Sequence, residues 1–397
     1  MIKLSRSPSF NKWTPNFGSP KIDPQRGSSV SRKFYTLVII VPISFILAIS
    51  GGHLNVFHNL SHTFHGHSMF NVNGSQKSCD VFSGSWVVDD GYPLYNSSEC
   101  PFVEQGFNCL ANGRKVDEYL TWRWKPHNCN IPRFNMSNIL EMLRGKRISF
   151  VGDSMSRTQW ESMICMLMTA VEDKKSVYEV NGNKITKTVR YLCVRFKSFN
   201  LTVEFFRSVF LVQPGRAPKQ GPKRVTSTLR LDKLDDISKE WVNSDVLVFN
   251  SGHWWVPSKL FEMGCYFQLG ASLRLGMPIT SAFRIALSTW ASWIETTVNK
   301  NRTRIFFRTF EPSHWSDQSR THCDMTRFPM SEPKMNFLSP FTDIIMDVVK
   351  NMTVPVTILQ ITSMSALRSD AHVGIWDNHQ IIADCSHWNK MGKLTYI

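Results

Sequence analysis

The segment that most constrains the fold is an apolar run at residues 147–151, which leads into the tripeptide Gly152-Asp153-Ser154. The run is typical of a buried strand, and residues 155–168 have the pattern of a helix, so a strand-to-helix turn is predicted. Strand-like and helical runs continue to alternate along the chain, which predicts an α/β domain with a mostly parallel sheet. The further strand-like runs are 194–208, 245–250, 304–310 and 356–362, and the further helical ones are near 282–298 and 340–350.

A second apolar run, residues 34–50, has 17 residues without a charge, and Arg32 and Lys33 directly precede it. This length and this basic flank favour a transmembrane anchor with a short cytoplasmic tail and a lumenal remainder. A cleaved signal peptide is the alternative, although no small-residue cleavage site follows the run. Seven Asn-x-Ser/Thr sequons and all nine cysteines follow the run, which suits an oxidising lumen.

The formal net charge of +15 raises the question of a nucleic-acid partner. Residues 1–33 carry +6 of this charge, because seven Lys or Arg oppose Asp23 alone, and the rest of the chain carries +9. Since a lumenal domain does not meet nucleic acid, no nucleic-acid partner is expected.

These features predict five segments: a cytoplasmic tail (1–33), a transmembrane anchor (34–50), a flexible stem (51–78), a small Cys-rich lobe (79–134) and a catalytic domain (135–397). Five histidines lie in the stem. We expect a solvated linker there, because no cysteine or carboxylate joins the histidines. No metal site is predicted.

Ser154 is the first candidate for catalysis. In an open parallel sheet, ligands bind beyond the carboxyl ends of the strands, where a serine on a strand-to-helix turn is presented. The backbone N–H of Ser154 and the helix dipole would stabilise an oxyanion, and Gly152 would permit a tight turn. The alternative role for Ser154 is a helix N-cap, which is common for serine.

A serine nucleophile needs a base, and Asp384-Cys-Ser-His387 supplies a candidate near the C-terminus. Residues three apart face the same way if they form one helical turn. Asp384 would then hold His387 in the tautomer that takes a proton from Ser154. The sequence therefore predicts a catalytic triad of Ser154, Asp384 and His387.

A third polar segment, residues 250–255, follows another buried strand. Because it would lie at the same sheet edge, the Gly252 N–H or the Asn250 amide is a candidate for the oxyanion hole. His253 competes with His387 as the base, but no carboxylate lies close to His253 in the sequence. His387 is therefore preferred.

The same segment ends in two adjacent tryptophans, Trp254 and Trp255. They are candidates for stacking on sugar rings, although packing is the commoner role of tryptophan.

Together these residues resemble the plant trichome birefringence-like family of polysaccharide O-acetyltransferases, which is related to GDSL/SGNH esterases. The resemblance covers about residues 79–388. Several long motifs agree in order, so it is specific. The motifs are Cys79-Asp-Val-Phe-Ser-Gly-Ser-Trp86, Tyr92-Pro-Leu-Tyr95, Cys100-Pro-Phe102, Trp122-Arg-Trp-Lys-Pro126, Gly152-Asp-Ser154, Arg157, Gln159-Trp-Glu-Ser162, Gly252-His-Trp-Trp255, Arg308-Thr-Phe310 and Asp384-Cys-Ser-His-Trp388.

The resemblance implies an SGNH-like α/β/α fold, a single-pass type II protein of the Golgi membrane with a lumenal catalytic domain, and the triad named above. Arg157, which stands in a family motif, joins Trp254 and Trp255 as a candidate substrate-binding residue. The implied disulfides are Cys79–Cys129, Cys100–Cys165 and Cys323–Cys385.

The chain departs from the family after Trp388, where members usually continue with Cys-Leu-Pro-Gly. The cysteine of that motif is the usual partner of Cys109, and Asn389 stands in its place here. We therefore expect a truncated or alternatively spliced form with lower stability and activity.

The expected reaction is ping-pong acetyl transfer through an acetyl-serine. The donor would be acetyl-CoA or another acetyl carrier, with no bound cofactor, and the acceptor a cell-wall polysaccharide of the xylan, mannan, xyloglucan or pectin class. A glycan acetyl esterase with the same triad and an inactive glycan-binding or scaffolding protein are the alternatives.

The basic segment 214–233 is either a groove wall for an acidic glycan or a solvated surface loop. Its basic residues are Arg216, Lys219, Lys223, Arg224, Arg230 and Lys233.

Overall fold

The computed structural model describes residues 79–316, 320–333, 339–376 and 383–388. The predicted cytoplasmic tail, anchor and stem (1–33, 34–50 and 51–78) lie outside the described residues. Within the four described ranges, no helix combines the length and the apolar content that a bilayer span requires.

The fold combines short strands with a few helices. The strands are β1 Gly84–Val88, β2 Trp122–Pro126, β3 Arg147–Gly152, β4 Val177–Glu179, β5 Tyr191–Phe196, β6 Leu201–Arg207, β7 Val212–Arg216, β8 Ser227–Leu234, β9 Val246–Phe249, β10 Cys265–Leu269, β11 Ser272–Arg274, β12 Arg304–Arg308, β13 Val356–Leu359, β14 His372–Gly374 and β15 Asp384–Trp388.

The α-helices are α1 Met136–Met142, α2 Ser154–Met168, α3 Ile279–Thr297, α4 Pro340–Lys350 and α5 Thr362–Ala366. Short 3₁₀ helices lie in the connections, at Ser97–Glu99, Gln105–Phe107, Glu118–Leu120, Lys174–Ser176, Lys197–Phe199, Asp236–Glu240, Pro257–Lys259, Phe261–Met263 and Ser369–Ala371.

The central sheet has the strand order β13-β12-β9-β3-β6-β5-β4. The five strands from β13 to β6 run parallel, and β5 and β4 add an antiparallel edge. The prediction of a mixed α/β fold with a mostly parallel sheet is thus confirmed. All five parallel strands end at the same edge, which is where a ligand site is expected.

Both faces of the central sheet are buried, in two separate hydrophobic clusters. Neighbouring residues of one strand point to opposite faces, so Phe205 and Val248 belong to one cluster and Phe206 and Phe249 to the other. Burial on both faces explains why these strands are continuous apolar runs rather than alternating ones.

One predicted strand, residues 194–208, is in fact a hairpin. It consists of the last three residues of β5 and all of β6, and the two strands pair antiparallel around a turn at Asn200. Asn200 has a φ of +52°, a conformation that asparagine tolerates better than most residues. The apolar pattern continues through both strands, so periodicity alone did not reveal the turn.

A second sheet, with the strand order β11-β10-β8-β7, was not predicted. It contains much of the basic segment 214–233, for which a solvated surface loop was one of the two interpretations. That interpretation is wrong, because Val212–Arg216 and Ser227–Leu234 are paired antiparallel strands and only the residues between them form a connection.

The three disulfides implied by the family resemblance are confirmed. Cys79–Cys129 closes the segment that contains the antiparallel pair of β1 and β2. Cys100–Cys165 joins that segment to α2, and Cys323–Cys385 ties β15 to the chain 62 residues upstream.

We predict that the double variant Cys100→Ser/Cys165→Ser unfolds more easily than the parent. The bridge closes a loop with a sequence separation of 65, and the loss of this constraint on the unfolded chain corresponds to about 4 kcal/mol. Denaturant unfolding measures the difference. The matched control is Cys265→Ser, a half-buried thiol outside the bridges, for which we expect about 1 kcal/mol or less. Equal unfolding free energies of the two variants would contradict this account.

Candidate active site

Ser154 is the first residue of α2, and Asp153 is the residue that caps this helix. The Asp153 carboxylate accepts a hydrogen bond of 2.9 Å from the Met155 backbone N–H. The alternative interpretation of Ser154 as an N-cap is therefore wrong. Because the cap is supplied by its neighbour, the Ser154 hydroxyl is available for another partner.

Gly152 is needed for a close approach of two chain segments rather than for an unusual backbone angle. A Cβ atom at Gly152 would lie 1.9 Å from Oδ1 of Asn250 and 2.7 Å from its carbonyl oxygen. Asn250 follows β9, the strand beside β3. Only glycine lets the ends of these two strands meet so closely.

The structure brings the three predicted triad residues together. His387 Nε2 lies 2.6 Å from Ser154 Oγ, and His387 Nδ1 lies 2.7 Å from Asp384 Oδ2. The other carboxylate oxygen of Asp384 accepts the backbone N–H groups of Ser386 and His387, at 3.0 and 2.9 Å. With Nδ1–H donated to Asp384, Nε2 of His387 is left to accept the Ser154 proton.

Asp384 and His387 do not lie on a helical turn, so that part of the prediction is wrong. They lie in β15, which pairs with β14 through an irregular register. His372 opposes Trp388 and Gly374 opposes Asp384, so β15 contains extra residues between these two pairs. Such a bulge redirects side chains, and here it allows residues 384 and 387 to converge although a regular strand would separate them.

Asp384 is held as a carboxylate. Its burial would raise its pKa, but the positive charge and hydrogen bonds of His387, together with the Ser386 N–H, lower the pKa below the ordinary value of 3.8. It therefore stays ionised at neutral pH and fixes the His387 ring. On the other side of His387, the Phe107 ring packs at a centroid distance of 4.9 Å.

A buried histidine that the sequence analysis missed supports this strand. His372 Nδ1 donates to the His387 carbonyl oxygen at 3.0 Å, and its Nε2 lies 2.6 Å from Nδ1 of His314. Burial lowers the pKa of His372 to about 3. The ring thus positions the backbone of His387 from inside the protein.

The polar segment after β9 holds Asp153 rather than Ser154. The Asn250 amide donates to Asp153 Oδ1 at 2.8 Å and accepts from the Ser156 hydroxyl at 2.6 Å. Gly252 is buried and has a φ of +129°. The oxyanion-hole role of Asn250 and Gly252 stays a prediction.

His253 has the nearby carboxylate that the sequence did not reveal. Its Nδ1 lies 3.5 Å from Asp153 Oδ2, and its Nε2 donates to the Glu311 carbonyl oxygen at 2.9 Å. Burial would raise the pKa of Asp153, but hydrogen bonding and charge from His253, and then the Asn250 amide, lower it. His387 is the histidine bonded to Ser154.

A cavity of about 1010 Å³ opens at the triad. Trp254 and Arg157 line it, whereas Trp255 is 1% exposed and packs among core aromatics. The prediction that Trp255 stacks on a sugar is therefore wrong. Arg157 is buried and ion-paired with Glu104 and Glu161, and its role in substrate binding stays a prediction.

The cavity is also lined by residues 101–107, Arg207 and Lys259, whose part in the site was not predicted from the sequence. Arg207 ends β6 at the same sheet edge as Gly152, which was a usable signal once the strand order was known. For residues 101–107, the family motif Cys100-Pro-Phe102 marked only the start of the segment.

A serine at the carboxyl edge of a parallel sheet, bonded to a histidine that an aspartate holds, is the arrangement of serine-dependent acyl hydrolases and acyltransferases. A family model described as a GDSL/SGNH-like acyl-esterase family found in Pmr5 and Cas1p matches residues 131–389, and the PMR5 N-terminal domain matches residues 77–130.

Similar proteins from Arabidopsis thaliana agree. Trichome birefringence-like 7 is 60% identical over 94% of this chain and 85% of its own length, and trichome birefringence-like 6 is 42% identical over 79% and 67%. Trichome birefringence-like 9 is 40% identical over 79% and 80%. The chain therefore belongs to the trichome birefringence-like family, with its GDSL/SGNH-like acyl-esterase domain.

We predict that Gly152→Ala destabilises the protein by about 1–3 kcal/mol, because the new methyl group must displace the buried Asn250. Thermal or denaturant unfolding measures this. Gly276→Ala is the matched control, since nothing lies within 4 Å of its Cβ position, and its effect should stay within about 0.5 kcal/mol. Equal effects at both glycines would show that the close approach is not tight.

We also predict a pH dependence of stability from Asp384. Its pKa is lowered on folding. As the pH falls toward and below the ordinary carboxyl pKa of 3.8, the unfolded state therefore binds more protons than the folded state, and stability is lost in this pH range. Asp384→Asn should lower the unfolding free energy at neutral pH and flatten its fall in acid. A variant whose acid profile parallels that of the parent would exclude this contribution.

Proposed function

We propose that this protein is an O-acetyltransferase that transfers acetyl groups to hydroxyls of a plant cell-wall polysaccharide through an acetyl-serine on Ser154. The observation that carries the proposal is the 2.6 Å contact between Ser154 Oγ and His387 Nε2, with Asp384 bonded to the other ring nitrogen. Family membership and the SGNH-type α/β/α arrangement that it implies support the assignment.

The first half-reaction forms the acetyl-enzyme. Ser154 Oγ attacks the acetyl carbonyl of the donor while His387 Nε2 takes the hydroxyl proton. The tetrahedral oxyanion is stabilised by the Ser154 N–H at the positive end of α2. The intermediate collapses, the donor leaves with the proton from His387, and the acetyl ester stays on Ser154.

The second half-reaction regenerates the serine. A sugar hydroxyl in the cavity loses its proton to His387 and attacks the acetyl ester, and the Ser154 oxygen recovers the proton as it leaves. Asp384 stabilises the His387 cation in both steps. The donor is acetyl-CoA or another acetyl carrier, and the acceptor belongs to the xylan, mannan, xyloglucan or pectin class.

The proposal includes the cellular setting. The apolar run 34–50 anchors the protein in the Golgi membrane as a single-pass type II protein, and the stem 51–78 carries the lobe 79–134 and the catalytic domain 135–397 in the lumen. The confirmed disulfides support an oxidising compartment.

A glycan acetyl esterase is the second candidate, and the description of the matching family as an acyl-esterase favours it. The chemistry differs only in the second half-reaction, where water instead of a sugar attacks the acetyl-serine. The competition between sugar and water at the cavity therefore decides between the two functions.

We predict that Ser154→Ala lowers acetyl transfer by about 10³-fold or more, because the nucleophile is removed. The full chain is incubated with acetyl-CoA or p-nitrophenyl acetate, and the acetyl-enzyme is measured by mass spectrometry. Oligosaccharides of the four polymer classes are then supplied, and acetylated sugar is separated from free acetate.

The matched control is Ser288→Ala, an exposed serine on α3 whose hydroxyl donates to the Arg284 carbonyl oxygen of its own helix. It should acetylate like the parent. Equal glycan acetylation by Ser154→Ala and the parent would exclude the proposed reaction, and acetate as the sole product of the acetyl-enzyme would assign the esterase.

A further inference from the structure

The cavity at the triad is lined by residues 101–107 and by residues 183–187, Arg207, Trp254 and Lys259 from further along the chain. It is open and large enough for more than one sugar ring. The charges on the cavity wall therefore influence which polysaccharide binds there.

Each acid that lines the cavity is already engaged. Glu104 is ion-paired with Arg157, and Asp384 is bonded to His387. Glu179 accepts three backbone N–H groups, at 2.7 to 3.0 Å. Hydrogen bonds and the ion pair with Arg157 thus hold all three carboxylates in place.

Four of the lining cations have no ion pair with a carboxylate among the residues that the structure describes. Two of them contact one indole ring: the Arg207 guanidinium and the Lys259 ammonium each lie 5.2 Å from the Trp254 ring centroid. This is within the range of a cation–π contact. The four cations are Lys184, Lys187, Arg207 and Lys259.

Trp254 thus contacts two like charges, and the Phe210 ring packs against it edge-on at a centroid distance of 6.2 Å. Like charges on one ring repel each other, and an anion bound beside them relieves the repulsion. The Trp254 indole therefore contacts cations, whereas the sequence suggested that it stacks on a sugar ring.

Arg207 is also close to the nucleophile. It is the register partner of Gly152, two residues before Ser154, and adjacent strands lie about 5 Å apart. Burial lowers the pKa of Arg207, the charge of Asp153 opposes this shift and Arg190 adds to it. A half-buried guanidinium of this kind gains from a bound carboxylate.

We propose that Arg207 and Lys259, held by Trp254, form an anion subsite that binds a carboxylate of an acidic glycan, so that the acceptor is a chain of sugars with uronic acid residues. The inference rests on the proposed function, because it names the substrate class of the same site. Lys184 and Lys187 extend the subsite along the cavity wall.

The spread of the cations favours an acidic polymer over a phosphate of the acyl donor. The four cations come from three separate segments, residues 183–187, the end of β6 and the connection after Trp254. Cationic side chains from separate segments suit a chain with a charge on successive sugars. A diphosphate is bound by donors that converge on one point, such as successive backbone N–H groups.

The basic segment 214–233, an earlier candidate for the same task, does not provide this wall. None of its six basic residues is among those that line the cavity. It therefore offers a matched control of the same charge at a different place on the surface.

The test measures binding rather than turnover, so its outcome is independent of the proposed reaction. The full chain with Ser154→Ala is titrated calorimetrically with an oligogalacturonide, with a neutral xylo-oligosaccharide of equal length and with acetyl-CoA. Adding Arg207→Gln and Lys259→Gln should weaken oligogalacturonide binding about 10- to 100-fold, the effect of losing hydrogen bonds to a charged group. Binding of the neutral oligosaccharide and of acetyl-CoA should change little.

Two further variants complete the test. Arg216→Gln/Lys219→Gln removes the same charge from the remote segment and should leave oligogalacturonide binding unchanged. Lys259→Gln alone alters an exposed side chain, so it reports on the subsite even if the double variant does not fold.

Three results would overturn the proposal. They are equal affinity of the parent for the acidic and neutral oligosaccharides, equal losses in the remote and the cavity variants, and a loss confined to acetyl-CoA. Failure of acetyl transfer with intact, Arg207-dependent binding of the oligogalacturonide would instead refute the proposed reaction and keep the subsite.

Discussion

The active-site end of the sheet depends on one buried carboxylate, that of Asp153. A carboxylate without exposure to water is costly unless its oxygens are bonded, and here the Met155 N–H, the Asn250 amide and His253 surround it. These contacts join the start of α2 to the segment after β9. As Asp153 caps the helix, the hydroxyl of Ser154 is left for His387. A change that frees the carboxylate would thus disturb the helix start, the strand ends and the nucleophile together.

A second constraint acts from the opposite end of the chain. His387 reaches Ser154 because β15 is bulged, because a disulfide holds Cys385, and because His372 bonds to the His387 carbonyl. The packing of Phe107 against the ring adds a contact from the β1–β2 region. The position of His387 is therefore determined by a disulfide and several non-covalent contacts from different segments rather than by one rigid helix or strand.

The sequence predicted features that depend on neighbours in the chain. The strand before Gly152 and the helix after Ser154 were both correct, because an apolar run and a tight turn are local patterns. Contacts between distant segments were not predicted from the sequence. The turn at Asn200, the second sheet and the pairing of His253 with Asp153 all depend on strand register, which no local pattern reveals. The disulfides came from the family resemblance and not from spacing.

The bond between Ser154 and His387 spans 233 residues of sequence. The central sheet is complete without β15, which pairs only with the three-residue β14 in the described part of the chain. The strands of the central sheet therefore pair independently of the contact between Ser154 and His387. Two anchors, the Cys323–Cys385 bridge and the Trp388 indole buried in the core, therefore determine whether this short strand brings its imidazole to the serine.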